Sequence, residues 1–179
     1  SKIVGIIGSP IVQVKMPDLL NAAFAARGLD MAMVPLDIGR DGIAAFVTVL
    51  RNWNNLLGCV VTVPHKQAFV PFIDELSDRA RRLQAVNVIR RNPDGTLTAD
   101  MVDGPGFIGA LRRNGVEVKG LRVAQIGVGG AGSAIADALC DAGAQSLSIT
   151  DTNDVHLDRV EAMLATAGRA TRVNRKIEM

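Results

Sequence analysis

The chain has 179 residues, 48% of them hydrophobic, and a formal net charge of +2. This length suits one large domain or two small ones with a substantial buried core. No basic patch interleaved with aromatic residues suggests nucleic-acid binding, and no apolar stretch is long enough to span a bilayer. The cysteines sit in apolar runs, which argues against a disulfide framework. The first residues lack a signal-peptide pattern, so we expect a soluble, cytoplasmic protein, and we assign no metal site.

Strands and helices alternate through the first hundred residues. Short buried strands are predicted at 3–7, 31–36, 58–63 and 86–90, and helices at 18–26 and 41–52. The second of these helices should bury Ile43, Phe46, Val47 and Leu50. A longer amphipathic helix is predicted over 69–84, although Pro71 lies near its start. The sequence N-P-D-G at 92–95 is a strong turn signal, and 96–99 should return as the partner strand of a hairpin.

The alternation continues in the rest of the chain. The pattern predicts helices at 106–114, 131–142 and about 155–167, and strands at 121–126 and 146–150. Strands alternating with helices indicate an α/β protein with largely parallel sheets. The stretch near 100–105 has no periodic pattern, so we place a domain boundary there, between 1–101 and 102–179.

A glycine-rich turn between a predicted strand and a predicted helix is the clearest motif. The sequence I-G-V-G-G-A-G at 126–132 contains G-x-G-x-x-G in the context typical of dinucleotide binding. Gly127 permits a tight turn, Gly129 lets the backbone approach a pyrophosphate, and Gly132 lets the helix pack close to the strand. The main-chain N–H groups from Gly130 and Ala131 onward begin the helix, whose amino end favours a phosphate.

An acidic residue, Asp151, ends the strand that follows this helix. A carboxylate at this point typically accepts hydrogen bonds from the adenosine ribose and repels a 2′-phosphate. The sequence therefore predicts a nicotinamide cofactor, with NAD preferred over NADP. The alternative is a local role, in which Asp151 or Asn153 caps the next helix.

Several motifs occur in an order that resembles the shikimate/quinate dehydrogenase family. Besides the glycine-rich turn, they are G-S-P-I at 8–11, P-D-L-L-N at 17–21, G-C-V-V-T-V-P-H-K at 58–66, A-V-N at 85–87, D-G at 94–95 and D-G-P-G-F at 103–107. The resemblance covers nearly the whole chain. It implies an N-terminal α/β substrate-binding domain at 1–101 and a Rossmann-type NAD-binding domain at 102–179. It also implies a role in aromatic amino acid biosynthesis or in the conversion of quinate.

The resemblance assigns catalysis to Lys66 and Asp103, which face each other across the cleft in that family. Oxidation of an alcohol removes a hydride from carbon and a proton from oxygen, and a lysine with a tuned pKa can carry that proton. A neighbouring carboxylate would orient the lysine. The alternatives are a solvated Lys66 and an Asp103 that serves only as a turn residue. His65 is also a candidate proton carrier, but no partner for it can be named from the sequence.

The family's substrate carboxylate is held by two hydroxyl residues in S-x-S-P, and this chain departs from that pattern. The corresponding positions are Val14 and Met16. Val60 replaces the asparagine that usually precedes V-T-x-P, and Met101 and Val102 replace the polar pair before D-G-x-G-F. Because each missing hydrogen-bond partner costs about 1–3 kcal/mol, we expect shikimate and quinate to be poor substrates.

The expected substrate is a small cyclic or aliphatic hydroxy acid that is less polar, or differently charged, than shikimate. The substrate-binding residues implied by the motifs are Gln13, Val14, Met16, Thr62 and Asn87. Lys15 offers another way to hold a carboxylate. Two other interpretations stay open: a non-catalytic ligand or cofactor sensor on the same fold, and a genuine quinate or shikimate dehydrogenase with an altered carboxylate site.

The second domain is predicted to be incomplete in this chain. Only 28 residues follow Asp151, and two or three strands can be counted where a full dinucleotide fold has about six. No membrane or nucleic-acid partner is expected, and the sequence leaves open whether the protein is a homodimer.

Overall fold

The computed structural model describes residues 1–166. The chain divides into two units, the first ending at Met101 and the second beginning at Val102. Ala167, the last residue of the final predicted helix, lies outside the described residues. Among the helices within 1–166, none is long and apolar enough to cross a bilayer.

The first unit is built on a mixed six-stranded sheet. Its strands are β1 (Lys2–Gly8), β2 (Met31–Asp37), β3 (Leu56–Val61), β4 (Glu75–Leu76), β5 (Val88–Arg91) and β6 (Leu97–Asp100). Their order is β2-β1-β3-β5-β6-β4. β1 is parallel to both β2 and β3, whereas β5 is antiparallel to β3 and β6. The predicted α/β architecture with largely parallel strands is confirmed, and the antiparallel pairing of β5 with β6 follows from the predicted tight hairpin at 92–95, whereas β4 is parallel to β6.

The first two helices of the first unit begin and end close to the predicted positions, whereas the third is shorter than predicted. They are α1 (Met16–Ala26), α2 (Ile43–Asn52) and α3 (Asp78–Leu83), with a 3-10 turn at Arg40–Gly42 before α2. The α2 residues buried in the core are the predicted ones, Ile43, Phe46, Val47 and Leu50. Their spacing at every third or fourth position places them on one face of the helix.

The prediction of one continuous helix over 69–84 is wrong. A 3-10 turn at Val70–Phe72, the short strand β4 and then α3 occupy this stretch. Asp74 breaks the pattern, because its carboxylate accepts hydrogen bonds from the Leu97 main chain at 2.7 Å and the Arg51 guanidinium at 2.6 Å. A new helix begins only after Ser77, whose hydroxyl caps α3 by accepting the Ala80 N–H.

The second unit has a two-stranded parallel sheet covered by helices. Its elements are α4 (Asp103–Arg113), β7 (Arg122–Ile126), α5 (Gly130–Asp141), β8 (Ser146–Thr150) and α6 (Asp154–Thr166). Its core is aliphatic and includes Ile108, Val118, Leu139, Leu147, Ile149 and Leu157. α4 starts three residues before the predicted position, so Asp103 is the first helical residue rather than part of a turn.

The close pairing of β3 with β5 depends on Gly58. A Cβ added at Gly58 would lie 2.0 Å from the carbonyl oxygen of Ile89, which is main chain of the neighbouring strand. The backbone also has φ +152° at this position, where side chains are rarely accommodated. The two strands can therefore approach only because residue 58 has no side chain.

We predict that Gly58→Ala lowers the free energy of unfolding by about 3 kcal/mol or more, because the strands must separate to admit the methyl group. The matched control is Gly39→Ala, since a Cβ at Gly39 meets no atom within 4 Å. Urea unfolding of the two variants measures the difference. Equal stability of Gly58→Ala and Gly39→Ala would contradict the role given to Gly58.

Candidate functional site

The carboxyl ends of β1, β2 and β3 meet at one edge of the first unit's sheet. The Thr62 N–H donates to the Ile7 carbonyl at 2.8 Å, and the Ser9 N–H donates to the Val63 carbonyl at 3.3 Å. A Cβ at Gly8 would lie 2.6 Å from the Thr62 methyl group. The loop after β1 and the turn after β3 are thus packed directly on each other, in the position where open α/β sheets bind ligands.

His65 is part of the framework of this edge. Its side chain is buried, and Nε2 lies 2.6 Å from the carbonyl oxygen of Ile38 in the loop after β2. With its proton on Nε2, the ring donates a hydrogen bond that ties the turn after β3 to that loop. Nδ1 is buried and has no hydrogen-bond partner among the described residues. The partner of His65 could not be predicted from the sequence, because no sequence motif links a histidine to a main-chain carbonyl 27 positions away.

Three residues predicted to contact substrate or to act in catalysis lie along this edge. Thr62 and Lys66 are half-buried and Asn87 is buried. The Val86 N–H donates to the Lys66 carbonyl and the Val61 N–H donates to the Asn87 carbonyl, each at 2.8 Å. The backbone segments that carry Lys66 and Asn87 are therefore hydrogen-bonded neighbours at this edge of the sheet.

The loop after β1 presents apolar side chains where the family has hydroxyl groups. Val14 is half-buried, Gln13 is exposed, and Met16 is 39% exposed at the start of α1. Val12, in the same loop, is 86% exposed. Met101 differs from these residues, because it is fully buried and belongs to the core of the first unit rather than to this surface.

The glycine-rich turn of the second unit connects β7 to α5. Gly127 has φ +89°, which favours glycine. A Cβ at Gly132 would lie 2.3 Å from the Gly127 carbonyl oxygen, so α5 packs against the turn as closely as the motif requires. A shallow cleft at this turn is lined by Phe107, Gln125, Gly129, Gly130, Ala131 and Ile135.

Gln125 supports the turn, and sequence reasoning did not single it out. Its Nε2 donates to the carbonyl oxygens of Gly127 at 2.9 Å and Gly132 at 2.8 Å. One amide thus bridges the first and last glycines of the motif. The available signal was a polar residue in the middle of the otherwise apolar strand V-A-Q-I.

Asp151 also holds the glycine-rich turn. Its Oδ2 accepts the Val128 N–H at 2.7 Å, and its Oδ1 accepts the Asn153 N–H at 2.9 Å. Hydrogen bonds from Val128 and then Asn153 lower the pKa of this carboxyl group, with a smaller contribution from His156. Asn153 accepts the Val155 N–H at 3.0 Å and so serves as the helix cap. Of the two residues considered for the cap, Asn153 takes that role at α6.

Asp103 is positioned by a tight helix contact within the second unit. A Cβ at the next residue, Gly104, would lie 2.2 Å from the Ala134 carbonyl oxygen and 2.7 Å from the Ala138 Cβ. α4 therefore packs on α5 with its backbone in direct contact. Lys66 belongs to the first unit and Asp103 to the second, and their approach to each other stays a prediction.

Metal chemistry was not expected from the sequence. Within residues 1–166, no group of three or more histidine, cysteine, aspartate or glutamate side chains is arranged to hold a metal ion.

The fold defines an α/β protein with a sheet edge in the position where open α/β sheets bind ligands, and with a dinucleotide-type glycine turn. Residues 6–89 match the shikimate dehydrogenase substrate binding domain. The chain is 36% identical over 154 residues to the shikimate dehydrogenase (NADP(+)) of Carboxydothermus hydrogenoformans, covering 86% of this chain and 54% of that protein. The chain belongs to the shikimate dehydrogenase family.

Solved structures share the fold. The shikimate 5-dehydrogenase of Listeria monocytogenes, in complex with shikimate and NAD, gives a TM-score of 0.90 at 27% identity, covering 98% of this chain and 61% of that one. The 5-ketofructose reductase of Gluconobacter sp. strain CHM43 gives 0.89 at 25% identity, with 99% and 63% covered. The chain thus spans about half to two-thirds of these proteins. The names carry both NAD and NADP, which does not support the predicted preference for NAD.

Asp100 holds the end of β6 beside the buried Asn87. Its main-chain carbonyl accepts the Asn87 N–H at 2.9 Å, and its carboxylate accepts hydrogen bonds from the side chains of Arg79 and Ser77. The Arg79 hydrogen bonds are the main cause that lowers the pKa of Asp100 to about 2. The stabilisation that comes from a lowered folded-state pKa is fully present above the unfolded-state pKa. It is lost as the pH falls toward the folded-state pKa.

We predict that Asp100→Asn is less stable than the unaltered chain at pH 7, and that this difference shrinks between about pH 4 and pH 2. The reason is that acid already removes the charge of Asp100 in the unaltered chain. Urea unfolding at several pH values measures both curves. A constant difference in the free energy of unfolding across this pH range would show that the ionised form of Asp100 does not contribute to stability.

Proposed function

We propose that the chain carries the substrate edge and the cofactor turn of an NAD(P)-dependent dehydrogenase. The reaction is a hydride transfer between a nicotinamide cofactor and a hydroxyl-bearing carbon of a small molecule. The observation that best supports this is the anchoring of the turn that carries Lys66, through the buried His65 and the Ile38 carbonyl. A rigid backbone under a catalytic side chain is what positioning an acid or base requires.

Lys66 and Asp103 carry the proton in this proposal. A bound nicotinamide dinucleotide supplies the hydride acceptor in the oxidising direction and the hydride donor in the reducing one. In oxidation, the amine of Lys66 takes the proton of the substrate hydroxyl while the hydride leaves carbon. In reduction, the ammonium returns a proton to the new alkoxide oxygen. The carboxylate of Asp103 orients the ammonium group and stabilises its charge.

The cofactor is held by the second unit in this proposal. The main-chain N–H groups at the start of α5 face the position of a pyrophosphate, and the glycines leave room for it. Gln125 stabilises this turn by donating a hydrogen bond to the Gly132 carbonyl, and Asp151 does so by accepting the Val128 N–H. These contacts fit both NAD and NADP, which differ only in the 2′-phosphate.

The proposed substrate is a small hydroxy or keto compound that does not depend on two hydroxyl side chains to hold a carboxylate. The side chains of Val14 and Met16 have no hydrogen-bond donor, so a shikimate carboxylate placed there would lose about 1–3 kcal/mol for each missing partner. A relative in the solved structures is named for 5-ketofructose, an uncharged keto sugar. This supports an uncharged polyhydroxy or keto compound as a substrate of this chain's protein.

A sensor that binds a ligand without turning it over is the second candidate. The aliphatic side chains at Val14 and Met16 favour it, whereas the presence of Lys66, Asp103 and the glycine-rich turn favours the enzyme. A shikimate enzyme that binds the carboxylate through Lys15 is the third. Titration of the cofactor with and without a broad panel of alcohols separates the three, since binding without any turnover indicates a sensor.

We predict that shikimate is turned over at least about tenfold less efficiently than the best uncharged hydroxy or keto compound in such a panel. The double substitution Val14→Ser/Met16→Ser should raise turnover of shikimate, because it restores two hydroxyl donors. Val12→Ser is the matched control, since it adds a hydroxyl to the same loop at an exposed position outside S-x-S. The measurement is kcat/KM from the absorbance of the reduced cofactor.

Turnover of shikimate at full efficiency by the unaltered chain would refute the substrate assignment. An equal gain from Val12→Ser and from the double substitution would show that the added hydroxyl groups act without regard to position.

Lys66→Ala should reduce kcat by about 10²–10⁴-fold while leaving the cofactor Kd unchanged, because an acid–base group is lost and the glycine-rich turn is untouched. Lys2→Ala provides the control, since Lys2 is exposed at the opposite, amino end of β1. Steady-state kinetics and cofactor titration measure the two quantities. Activity that survives in Lys66→Ala would remove the proton-carrying role from this residue.

A further inference from the structure

His156 lies beside the glycine-rich turn of the second unit. It is in the first turn of α6, and its Nδ1 is 3.4 Å from Oδ1 of Asp151. A Cβ on Gly129 would be 3.8 Å from the ring's Cε1. The imidazole therefore lies beside Asp151, the residue after β8, and beside the turn that leads into α5. From the sequence it was expected to be a surface residue, and its side chain is 43% exposed.

The carboxylate of Asp151 has little capacity left for an outside donor. An ionised carboxyl group offers about four acceptor positions on its two oxygens. Oδ2 uses one for the Val128 N–H, and Oδ1 uses one for the Asn153 N–H and faces His156 with the other. The side chain is also only 10% exposed. One acceptor position on Oδ2 remains, whereas the adenosine ribose of NAD presents two hydroxyl groups.

A 2′-phosphate bound beside the Asp151 carboxylate would be repelled by Asp151 and attracted by His156. The Asp151 carboxylate repels a phosphate through like charge. The His156 Nδ1, 3.4 Å from Oδ1, counteracts this repulsion when the imidazole is protonated, and the partly exposed ring offers an N–H donor near the carboxylate. Hydrogen bonds to charged groups are about twice as strong as those between neutral groups.

We propose that His156 is a specificity-determining residue that allows the nucleotide site to accept the 2′-phosphate of NADP next to Asp151. The inference rests on the proposed function, because it concerns the same cofactor turn. It accounts for an acidic residue after β8 in a chain that resembles a shikimate dehydrogenase named for NADP(+).

The test is the ratio of the two cofactor affinities, Kd(NADPH)/Kd(NADH), measured by fluorescence titration on the full chain. His156→Ala should raise this ratio about tenfold, because the phosphate loses a donor and faces a more available carboxylate. Asp151→Asn should lower the ratio, because it removes the negative charge. His156→Arg should restore the ratio of the unaltered chain or lower it further. Val155→Ala is the control, since the side chain of Val155 is 69% exposed on the same helix turn.

The outcomes separate this inference from the proposed function. If both nucleotides bind and His156→Ala leaves the ratio unchanged or lowers it, the inference is overturned and the cofactor site stands. An equal loss of both affinities in His156→Ala would mark a structural role and also overturn it. If neither NADH nor NADPH binds the unaltered chain, the cofactor site itself fails, and the inference fails with it.

Discussion

The buried hydrogen bond from His65 to the Ile38 carbonyl is the interaction on which the first unit's site depends. It joins the turn after β3 to the loop after β2, while Gly8 allows the loop after β1 to pack against the same turn. The loops after β1 and β2 and the turn after β3 thus form one surface at the carboxyl edge of the sheet. Lys66 follows His65 directly, so its backbone is held from two sides, by the anchored histidine and by Val86. The backbone of Lys66 is therefore fixed by hydrogen bonds to two other segments of the first unit.

In the glycine-rich turn of the second unit, polar side chains likewise hold the backbone in shape. Gln125 bridges the carbonyl oxygens of Gly127 and Gly132, and Asp151 receives the N–H of Val128. Glycine provides close approach but little rigidity, because it has the largest conformational freedom in the unfolded chain. Side-chain hydrogen bonds from outside the loop supply the missing order. Asp151 therefore contributes to the shape of the turn.

Much of the fold could be predicted from local patterns, and the failures have physical causes. The apolar period of α2 and the turn at 92–95 were sufficient to place both elements, because each depends on neighbouring residues alone. The predicted helix over 69–84 was wrong because Asp74 is engaged by Arg51 and Leu97, which are distant in sequence. The residues of the candidate sites show the same division between local patterns and contacts with residues distant in sequence. Motifs singled out Lys66 and the glycine turn as candidates, whereas the partner of His65 and the bridge made by Gln125 are tertiary contacts that no spacing encodes.

In the proposed reaction, an amine in the first unit and a carboxylate in the second act on the same proton. A crystal structure of the protein with NADP⁺ bound would give the separation of Lys66 Nζ from the Asp103 carboxylate. We expect a separation of about 3 Å, within hydrogen-bond range, beside the nicotinamide ring. Side chains that point into solvent on different faces of the protein, away from the nicotinamide, would contradict it.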